Sequence, residues 1–311
     1  MNSANGHFDV VIIGAGPSGS CAGSLLKQQN INCLIIERQT FPRFSIGESL
    51  LPQCMSILEE ANMLDAVEQG GFQLKNGAAF QHNEQYSYFD FSEKYTPGPG
   101  STYQVQRDKF DKILADTAQA QGVPIRYQHE LLSIEPSGNG KRLSIRDLVS
   151  GDEYAIECRF LLDASGFARV LPRLLDLEYP SDFPVRRSYF AHINDGINCE
   201  DYDRNKILIA VHPEHDDIWY WLIPFQNGIA SVGVVGEPAY FEDKTNLGDI
   251  RKLSESEILL AFINQNPRFK SLLKNAELRF SARTLEGYSA NVTRLYGDHF
   301  ALLGNAGEFL D

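Results

Sequence analysis

A glycine-rich turn near the N-terminus carries the residues whose types and spacing most directly suggest chemistry. Its sequence is Gly14-Ala15-Gly16-Pro17-Ser18-Gly19, between an apolar run and a helix-compatible segment. In such a turn the first glycine permits the tight bend, the second lets a pyrophosphate approach the backbone, and the third lets the helix pack closely on the sheet. The free N–H groups and the positive dipole at the helix start favour phosphate. The spacing predicts a dinucleotide-binding turn.

An acidic residue follows at the distance that this kind of site requires. Glu37 ends the apolar run Cys33-Leu34-Ile35-Ile36, about 20 residues beyond the turn. A carboxylate there accepts hydrogen bonds from ribose hydroxyls and repels a 2′-phosphate. A glycine turn can occur without a ligand, but strand, turn, helix, second strand and acid are all in register here. We therefore expect a cofactor with an unphosphorylated adenosine ribose.

Three basic residues outside the turn are further candidates. Arg43 lies with Gly47 in a loop that we expect to have a fixed shape beside the cofactor, although a surface loop is the alternative. Arg107 begins a predicted helix, where cations are disfavoured, so either an anionic ligand or a surface ion pair would explain it. Lys75 lies in an alternating, strand-like segment, whose pattern alone would place it on the solvent face.

The elements that position these residues form a repeated pattern. Apolar segments beginning at Phe8, Phe160 and Phe300 each end in a glycine-containing turn, the second at Asp163 and the third at Gly304-Asn305. Buried parallel strands are continuously apolar, and their carboxyl ends meet at one edge of the sheet. The sequence predicts one parallel sheet assembled from distant segments, with these turns facing the cofactor.

The middle of the chain has a different character. Residues 185–283 contain alternating segments joined by hairpin-like turns, including Gln226-Asn227-Gly228, and a helix from about 254 to 264 with Ser254 as N-cap and Glu257 three residues on. We predict an α/β protein in which a Rossmann-like domain (1–80, 103–184 and 284–311) carries an inserted antiparallel-sheet substrate domain (81–102 and 185–283).

Composition narrows the functional classes. The 311 residues carry a formal net charge of −13, which opposes binding to nucleic acid or to anionic membranes. No segment approaches the roughly 20 apolar residues of a membrane span, and no signal peptide is recognisable. Five cysteines, including Cys199, form no CxxC pair, so we expect a cytoplasmic protein without a disulfide framework. His212 and His215 have loop-like spacing without a third ligand, so no metal site is predicted.

The chain resembles the flavin-dependent halogenases and related FAD-dependent dehydrogenases of the hydroxylase-type flavoprotein superfamily, over essentially its whole length. The glycine turn, the Asp163-Ala164-Ser165-Gly166 turn and the segment from Gly297-Asp298 to Gly304-Asn305-Ala306 resemble superfamily marks for FAD. Phe41-Pro42-Arg43-Phe44 with Gly47-Glu48-Ser49 resembles a loop of halogenases that act on phenols or pyrroles. The run from Trp219 to Pro224 satisfies the WxWxIP pattern of halogenases, and Lys75 matches their catalytic lysine.

The resemblance implies an activity and a set of site residues. Reduced FAD from a separate flavin reductase, oxygen and halide would yield hypohalous acid, which Lys75 would direct to a small aromatic substrate, free or on a carrier protein. Trp219, Trp221, Ile223 and Pro224 would wall the flavin from that substrate. The residues expected to bind FAD are Gly14, Ala15, Gly16, Pro17, Ser18, Gly19, Glu37, Arg38, Arg43, Gly47, Arg107, Asp163, Gly304 and Asn305.

Two departures from the family pattern keep other interpretations open. Asn305 stands where the family usually has Asp, and the glycine-rich segment that normally follows Asp311 is absent, which suggests a truncated chain. An FAD-dependent reductase, dehydrogenase or monooxygenase of the same fold is the first alternative. A non-catalytic flavin-binding module is the second.

Overall fold

Two eight-stranded sheets organise the part of the chain that the computed structural model describes, which is residues 6–198, 200, 202–243 and 247–309. Cys199 and the end of the chain at Asp311, on which two predictions fall, lie outside the described residues. The strands are β1 (His7–Ile13), β2 (Cys33–Glu37), β3 (Gln73–Lys75), β4 (Gly77–His82), β5 (Gln85–Asp90), β6 (Thr102–Gln104), β7 (Ile125–Tyr127), β8 (His129–Ser137), β9 (Gly140–Asp147), β10 (Glu153–Asp163), β11 (Glu178–Pro180), β12 (Arg187–Asn194), β13 (Lys206–Val211), β14 (Trp219–Pro224), β15 (Ile229–Gly236), β16 (Glu277–Leu278), β17 (Arg283–Glu286), β18 (Ala290–Val292), β19 (Tyr296–Gly297) and β20 (Phe300–Leu302). The α-helices are α1 (Pro17–Gln28), α2 (Gln53–Glu60), α3 (Leu64–Gln69), α4 (Arg107–Ala120), α5 (Val170–Leu174), α6 (Pro238–Glu242), α7 (Glu255–Gln265) and α8 (Pro267–Leu272).

The first sheet has the order β19-β20-β10-β1-β2-β7, and β20, β10, β1, β2 and β7 pair in parallel. Val11 and Ile12 in β1 are both fully buried although they point to opposite faces, because one face is covered by α1 to α4 and the other by the β8–β9 hairpin and α5. Burial on both faces explains the continuous apolar runs. The predicted parallel sheet is confirmed, and its turns meet at one edge.

The second sheet has the order β16-β12-β15-β14-β13-β4-β5, with β17 also paired to β12. One of its faces packs on α7 and α8 through Leu222, Val232, Phe262 and Phe269. The predicted capping box at Ser254 and the turn at Gln226–Gly228 are confirmed.

Two predicted domain boundaries do not coincide with the limits of the sheets. β4 and most of β17 belong to the second sheet, although residues up to 80 and from 284 were predicted for the first domain. β4 also pairs in parallel with β13, so the second sheet is mixed rather than purely antiparallel. This pairing joins segments far apart in sequence, which periodicity does not reveal. None of the helices in the described ranges is long and apolar enough to cross a membrane.

Candidate functional site

The three glycines of the turn between β1 and α1 meet different surroundings. Gly14 has φ +99°, and a Cβ on it would lie 2.5 Å from the Ala164 carbonyl oxygen. A Cβ on Gly19 would lie 1.9 Å from the Gly14 carbonyl oxygen. A Cβ on Gly16 would meet only Arg43 Nη2, at 3.5 Å, and Asp111 Oδ2, at 4.0 Å. The first and third glycines are therefore required by backbone packing, whereas the second opens onto a space beside a guanidinium group.

A fully buried carboxylate organises two of the predicted arginines. Asp111 in α4 lies 3.3 Å from Arg43 Nη1 and 2.6 Å from Arg107 Nε. Arg107 also donates to the Ile46 carbonyl, so its ion pair is largely buried rather than at the surface. Asp111 was missed in the sequence, where only its spacing of four residues from Arg107 could have indicated it. The cluster carries two guanidinium groups on one carboxylate, and Arg43 Nε is buried without a partner among the described residues.

Glu37 and Arg38 follow β2 but have different environments. Glu37 is buried, and its two carboxylate oxygens accept the N–H groups of Ala15 and Gln39, each at 2.8 Å. It thereby braces the glycine turn, and each oxygen retains lone-pair capacity for a ribose hydroxyl. Arg38 is mostly exposed and forms an ion pair with Glu130 at 3.2 Å.

The turns after β10 and β20 complete this edge of the sheet. Asp163 is fully buried, and its carboxylate oxygens accept the N–H groups of Ser165 at 2.8 Å and Leu171 at 2.7 Å. Burial raises the pKa of the Asp163 carboxyl. These two bonds shape the backbone after β10, and each oxygen retains lone-pair capacity, so the cofactor contact predicted for this carboxylate stays a prediction. Gly304 has φ +54° and lies against Ser18, with the half-buried Asn305 next to it.

Lys75 at the end of β3 is buried, with 3% of its surface exposed. Its Nζ donates to the Leu50 carbonyl at 2.8 Å and lies 5.2 Å from the centroid of the Phe91 ring. Burial lowers the pKa of Lys75 to about 8, and interaction with Cys54 opposes this effect. The expectation from the strand pattern alone, a lysine on the solvent face, is wrong. The β3–β6 ribbon is covered on the lysine side, which a short alternating segment does not indicate.

The two tryptophans share the face of the second sheet that lies opposite its helix-covered face. Their rings are 5.9 Å apart and half-buried, while Tyr220 between them lies in the core on the other side. The indole of Trp221 donates to Ser231 Oγ at 3.1 Å and covers Gly233, where a Cβ would lie 2.3 Å from the ring. Ile223 and Pro224 are buried further along β14. The spacing correctly predicted a shared face, and the role of these residues as a wall stays a prediction.

One loop connects the arginine cluster to Lys75. The carbonyl groups of Ile46 and Gly47 accept from Arg107, and the Leu50 carbonyl accepts from Lys75. Between them Glu48 is buried and lies 2.6 Å from His192 Nε2 of β12. This glutamate–histidine pair was missed because its partners are far apart in sequence. The fixed shape predicted for the loop follows from these contacts.

The chain matches the family model described as FAD binding domain over residues 7–298. The chain belongs to this FAD-binding family. It is 29% identical to a tryptophan 2-halogenase of Chondromyces crocatus over 97% of this chain and 56% of the relative. It is 26% identical to a 1H-pyrrole-2-carbonyl-[peptidyl-carrier protein] chlorinase of Pseudomonas fluorescens over 98% of this chain and 71% of that relative. The chain thus spans little more than half of the first of these proteins.

A crystal structure of a flavoprotein/dehydrogenase from Cytophaga hutchinsonii is also similar, with a TM-score of 0.91 and 43% identity over 98% of this chain and 72% of that one. The predicted likeness to flavin-dependent halogenases and related dehydrogenases is confirmed, as is the predicted fold class.

The geometry of this FAD-binding chain fits the cofactor. No side chain of the described residues caps the start of α1, so its first N–H groups face the space beside Gly16. Arg43 supplies an incompletely paired positive charge at the same place. These features suit the pyrophosphate, and Glu37 suits the ribose. Our predicted contacts remain Gly14 to Gly19, Arg43, Gly47, Arg107, Asp163, Gly304 and Asn305. Arg38 was also predicted to bind the cofactor, and its ion pair with Glu130 is an alternative role for this residue.

The histidine pair of the second sheet offers no metal site. His212 Nε2 lies 3.2 Å from Gln265 Oε1, and His212 Nδ1 accepts the Glu214 N–H at 3.1 Å. Within the described residues, no group of three or more His, Cys, Asp or Glu side chains is arranged to hold a metal ion.

Proposed function

We propose that this chain is a flavin-dependent halogenase that acts on a small electron-rich aromatic substrate of the phenol or pyrrole type. The observation that carries this proposal is Lys75, a buried lysine with a lowered pKa that donates to the same loop that contacts the arginine cluster. A structural surface lysine would show none of these properties. Halogenase relatives support the proposal, and their full lengths exceed this chain.

Bound reduced FAD, with oxygen and halide, supplies hypohalous acid. Below its pKa of about 8, Lys75 holds a proton and keeps two N–H groups beyond the one that Leu50 accepts. These N–H groups can hydrogen-bond the oxygen of hypohalous acid and so polarise its bond to the halogen. The half-buried Trp219 and Trp221 would wall the flavin from the substrate and so limit the access of water to the oxidant.

The partners belong to the same proposal. A separate flavin reductase would deliver reduced FAD, and the substrate would arrive free or on a carrier protein, as the name of the Pseudomonas fluorescens relative states for that enzyme. A cytoplasmic location is consistent with the free cysteines Cys21, Cys33, Cys54 and Cys158 among the described residues.

An FAD-dependent dehydrogenase or monooxygenase is the second candidate, because a protein named flavoprotein/dehydrogenase shares 43% identity with this chain. One incubation separates the two. The full chain, FAD, a flavin reductase, NADH, bromide and an electron-rich phenol are combined, and the products are measured by mass spectrometry. We expect a brominated phenol that is lost in Lys75→Ala and retained in Lys112→Ala, a surface lysine paired with Asp116.

The alternative outcomes point elsewhere. A hydroxylated or dehydrogenated product that does not depend on bromide would favour the second candidate. FAD binding without any product would favour a non-catalytic flavin-binding module.

A further inference from the structure

Three buried polar atoms near Lys75 have no hydrogen-bond partner among the described residues. They are Ser49 Oγ, Thr102 Oγ1 and Gln104 Oε1. Thr102 and Gln104 are themselves almost completely buried. Folded proteins rarely leave such atoms unpaired, because a buried polar atom without a hydrogen bond loses its interaction with water and gains nothing in return. Three in one place indicate a site that is completed by a bound molecule.

The strand pairing brings these atoms to the same face as the lysine. Lys75 in β3 lies directly opposite Thr102 in β6, and Gln104 lies opposite Ser49 in an isolated bridge on the other edge of β6. Directly opposed residues, and residues two apart in a strand, point to one face. Lys75 Nζ reaches the Leu50 carbonyl on that far edge, so the lysine side chain crosses β6 beside Thr102.

The available groups form a mixed set of donors and acceptors. The Lys75 ammonium and the two hydroxyls can donate. Gln104 Nε2 already donates to the Arg204 carbonyl at 3.1 Å, so the Gln104 atom that is left without a partner is the acceptor Oε1. A halide ion only accepts hydrogen bonds and would face this amide oxygen unfavourably. A small molecule with a hydroxyl group both accepts and donates, as the set requires.

We propose that Ser49, Thr102 and Gln104 are further catalytic residues that, together with Lys75, bind the oxygen and the hydroxyl hydrogen of hypohalous acid. This inference rests on the proposed function and names the residues that hold its oxidant. The oxygen accepts from Lys75 and from the hydroxyl of Thr102 or Ser49, and the O–H donates to Gln104 Oε1. The halogen is then the only part of the oxidant left free to face the substrate.

The transfer step balances with these residues. The aromatic carbon attacks the halogen, the O–X bond breaks with its electrons on oxygen, and the new C–X bond forms. The oxygen takes a proton from the Lys75 ammonium and leaves as water. The substrate loses its ring proton to solvent, and Lys75 recovers a proton from solvent. The sum is hypohalous acid plus Ar–H giving Ar–X plus water.

Thr102→Val tests the proposal because valine keeps the shape and removes the hydroxyl. We expect coupled bromination of the phenol to fall about 2- to 10-fold, the effect of one hydrogen bond. Coupling is expressed as brominated phenol relative to total oxidant, which is measured as bromination of a freely diffusing 1,3-diketone trap. Thr102→Ser should restore coupling. Thr117→Val is the matched control, since the hydroxyl of Thr117 bonds the Ile113 carbonyl within α4.

A crystal structure of the full chain gives a readout that does not depend on activity. We expect an ordered oxygen within hydrogen-bond distance of Lys75 Nζ and Thr102 Oγ1 that is absent in Thr102→Val. A Thr102 hydroxyl bonded to a protein carbonyl in that structure would overturn the proposal. Unchanged coupling in Thr102→Val, while the wild type brominates, would also overturn it. If the wild type makes no oxidant, the proposed function is refuted. The crystallographic test of the hydrogen bonds of Thr102 does not depend on that result.

Discussion

At the level of single residues, Lys75 is an ionisable side chain that folding removes from water. Burial lowers the pKa of Lys75 from its usual value of 10.5 to about 8. A shift of this size corresponds to about 3 kcal/mol of differential stability between the two protonation states. The folded protein carries this penalty in full below pH 8, where the lysine is charged in both states.

The penalty predicts a pH dependence of stability. Between pH 8 and 10.5 the unfolded chain binds the proton that the folded chain has lost, so stability rises with pH. We expect the free energy of unfolding of the wild type, relative to Lys75→Met, to rise by about 2 to 3 kcal/mol between pH 7.5 and 10.5. Urea denaturation of both proteins across this range measures the difference, in which all other titrating groups cancel. Parallel curves would show that Lys75 is solvated.

At the level of elements, glycine has two roles in the β1–α1 turn: Gly16 leaves space for the cofactor, and Gly19 permits close backbone packing. The Gly16 backbone is extended, at φ −67° and ψ −173°, and space is open around it, so Gly16→Ala should leave the stability of the FAD-free protein within about 0.5 kcal/mol. The added methyl group would occupy the space beside Arg43, and we expect FAD affinity to fall at least about 10-fold, roughly 1.4 kcal/mol. Fluorescence titration with FAD and urea denaturation measure the two effects.

Gly19→Ala is the matched comparison within the same turn. Its methyl group would lie 1.9 Å from the Gly14 carbonyl oxygen, so backbone has to move. We expect a loss of about 1 to 3 kcal/mol of stability even without FAD. Equal behaviour of the two variants would contradict the assignment of Gly16 to the cofactor and Gly19 to packing.

Local patterns predicted the elements well, and contacts between distant elements account for what they missed. The glycine turn, the apolar strands and the capping box at Ser254 each depend on a few neighbouring residues, and each was predicted. The parallel pairing of β4 with β13 depends on segments more than a hundred residues apart, so the local pattern of residues 77–80 did not indicate that they belong to the second sheet. The burial of Lys75 likewise depends on the loop that carries Leu50.

At the level of the whole molecule, a few side-chain contacts join the β3–β6 ribbon and the loop beside it to the strands and turns of the second sheet. Gln73 donates to Asn205, Gln104 to the Arg204 carbonyl, and Gln226 to the Phe72 carbonyl. The buried pair of Glu48 and His192 joins the loop beside Lys75 to β12 of the second sheet. The His192 ring also packs against Phe44, Phe225 and Phe280. The position of the ribbon and of this loop relative to the second sheet therefore depends on partners that no local sequence pattern could pair.

Breaking the Glu48–His192 pair should weaken the contact between the loop and β12 and leave a buried polar group without a partner. We expect Glu48→Ala to lower the free energy of unfolding by about 1.5 to 3 kcal/mol, the range for a hydrogen bond to a charged group. Glu153→Ala is the control, because Glu153 pairs with Arg146 at an exposed site and such pairs contribute at most about 1 kcal/mol. Urea denaturation of the single variants, and of Glu48→Ala combined with His192→Ala, gives the coupling energy, which should exceed about 0.5 kcal/mol because the two side chains are in contact. Additive losses in the double variant would show that each residue acts through other neighbours and that the pair does not hold the loop to β12.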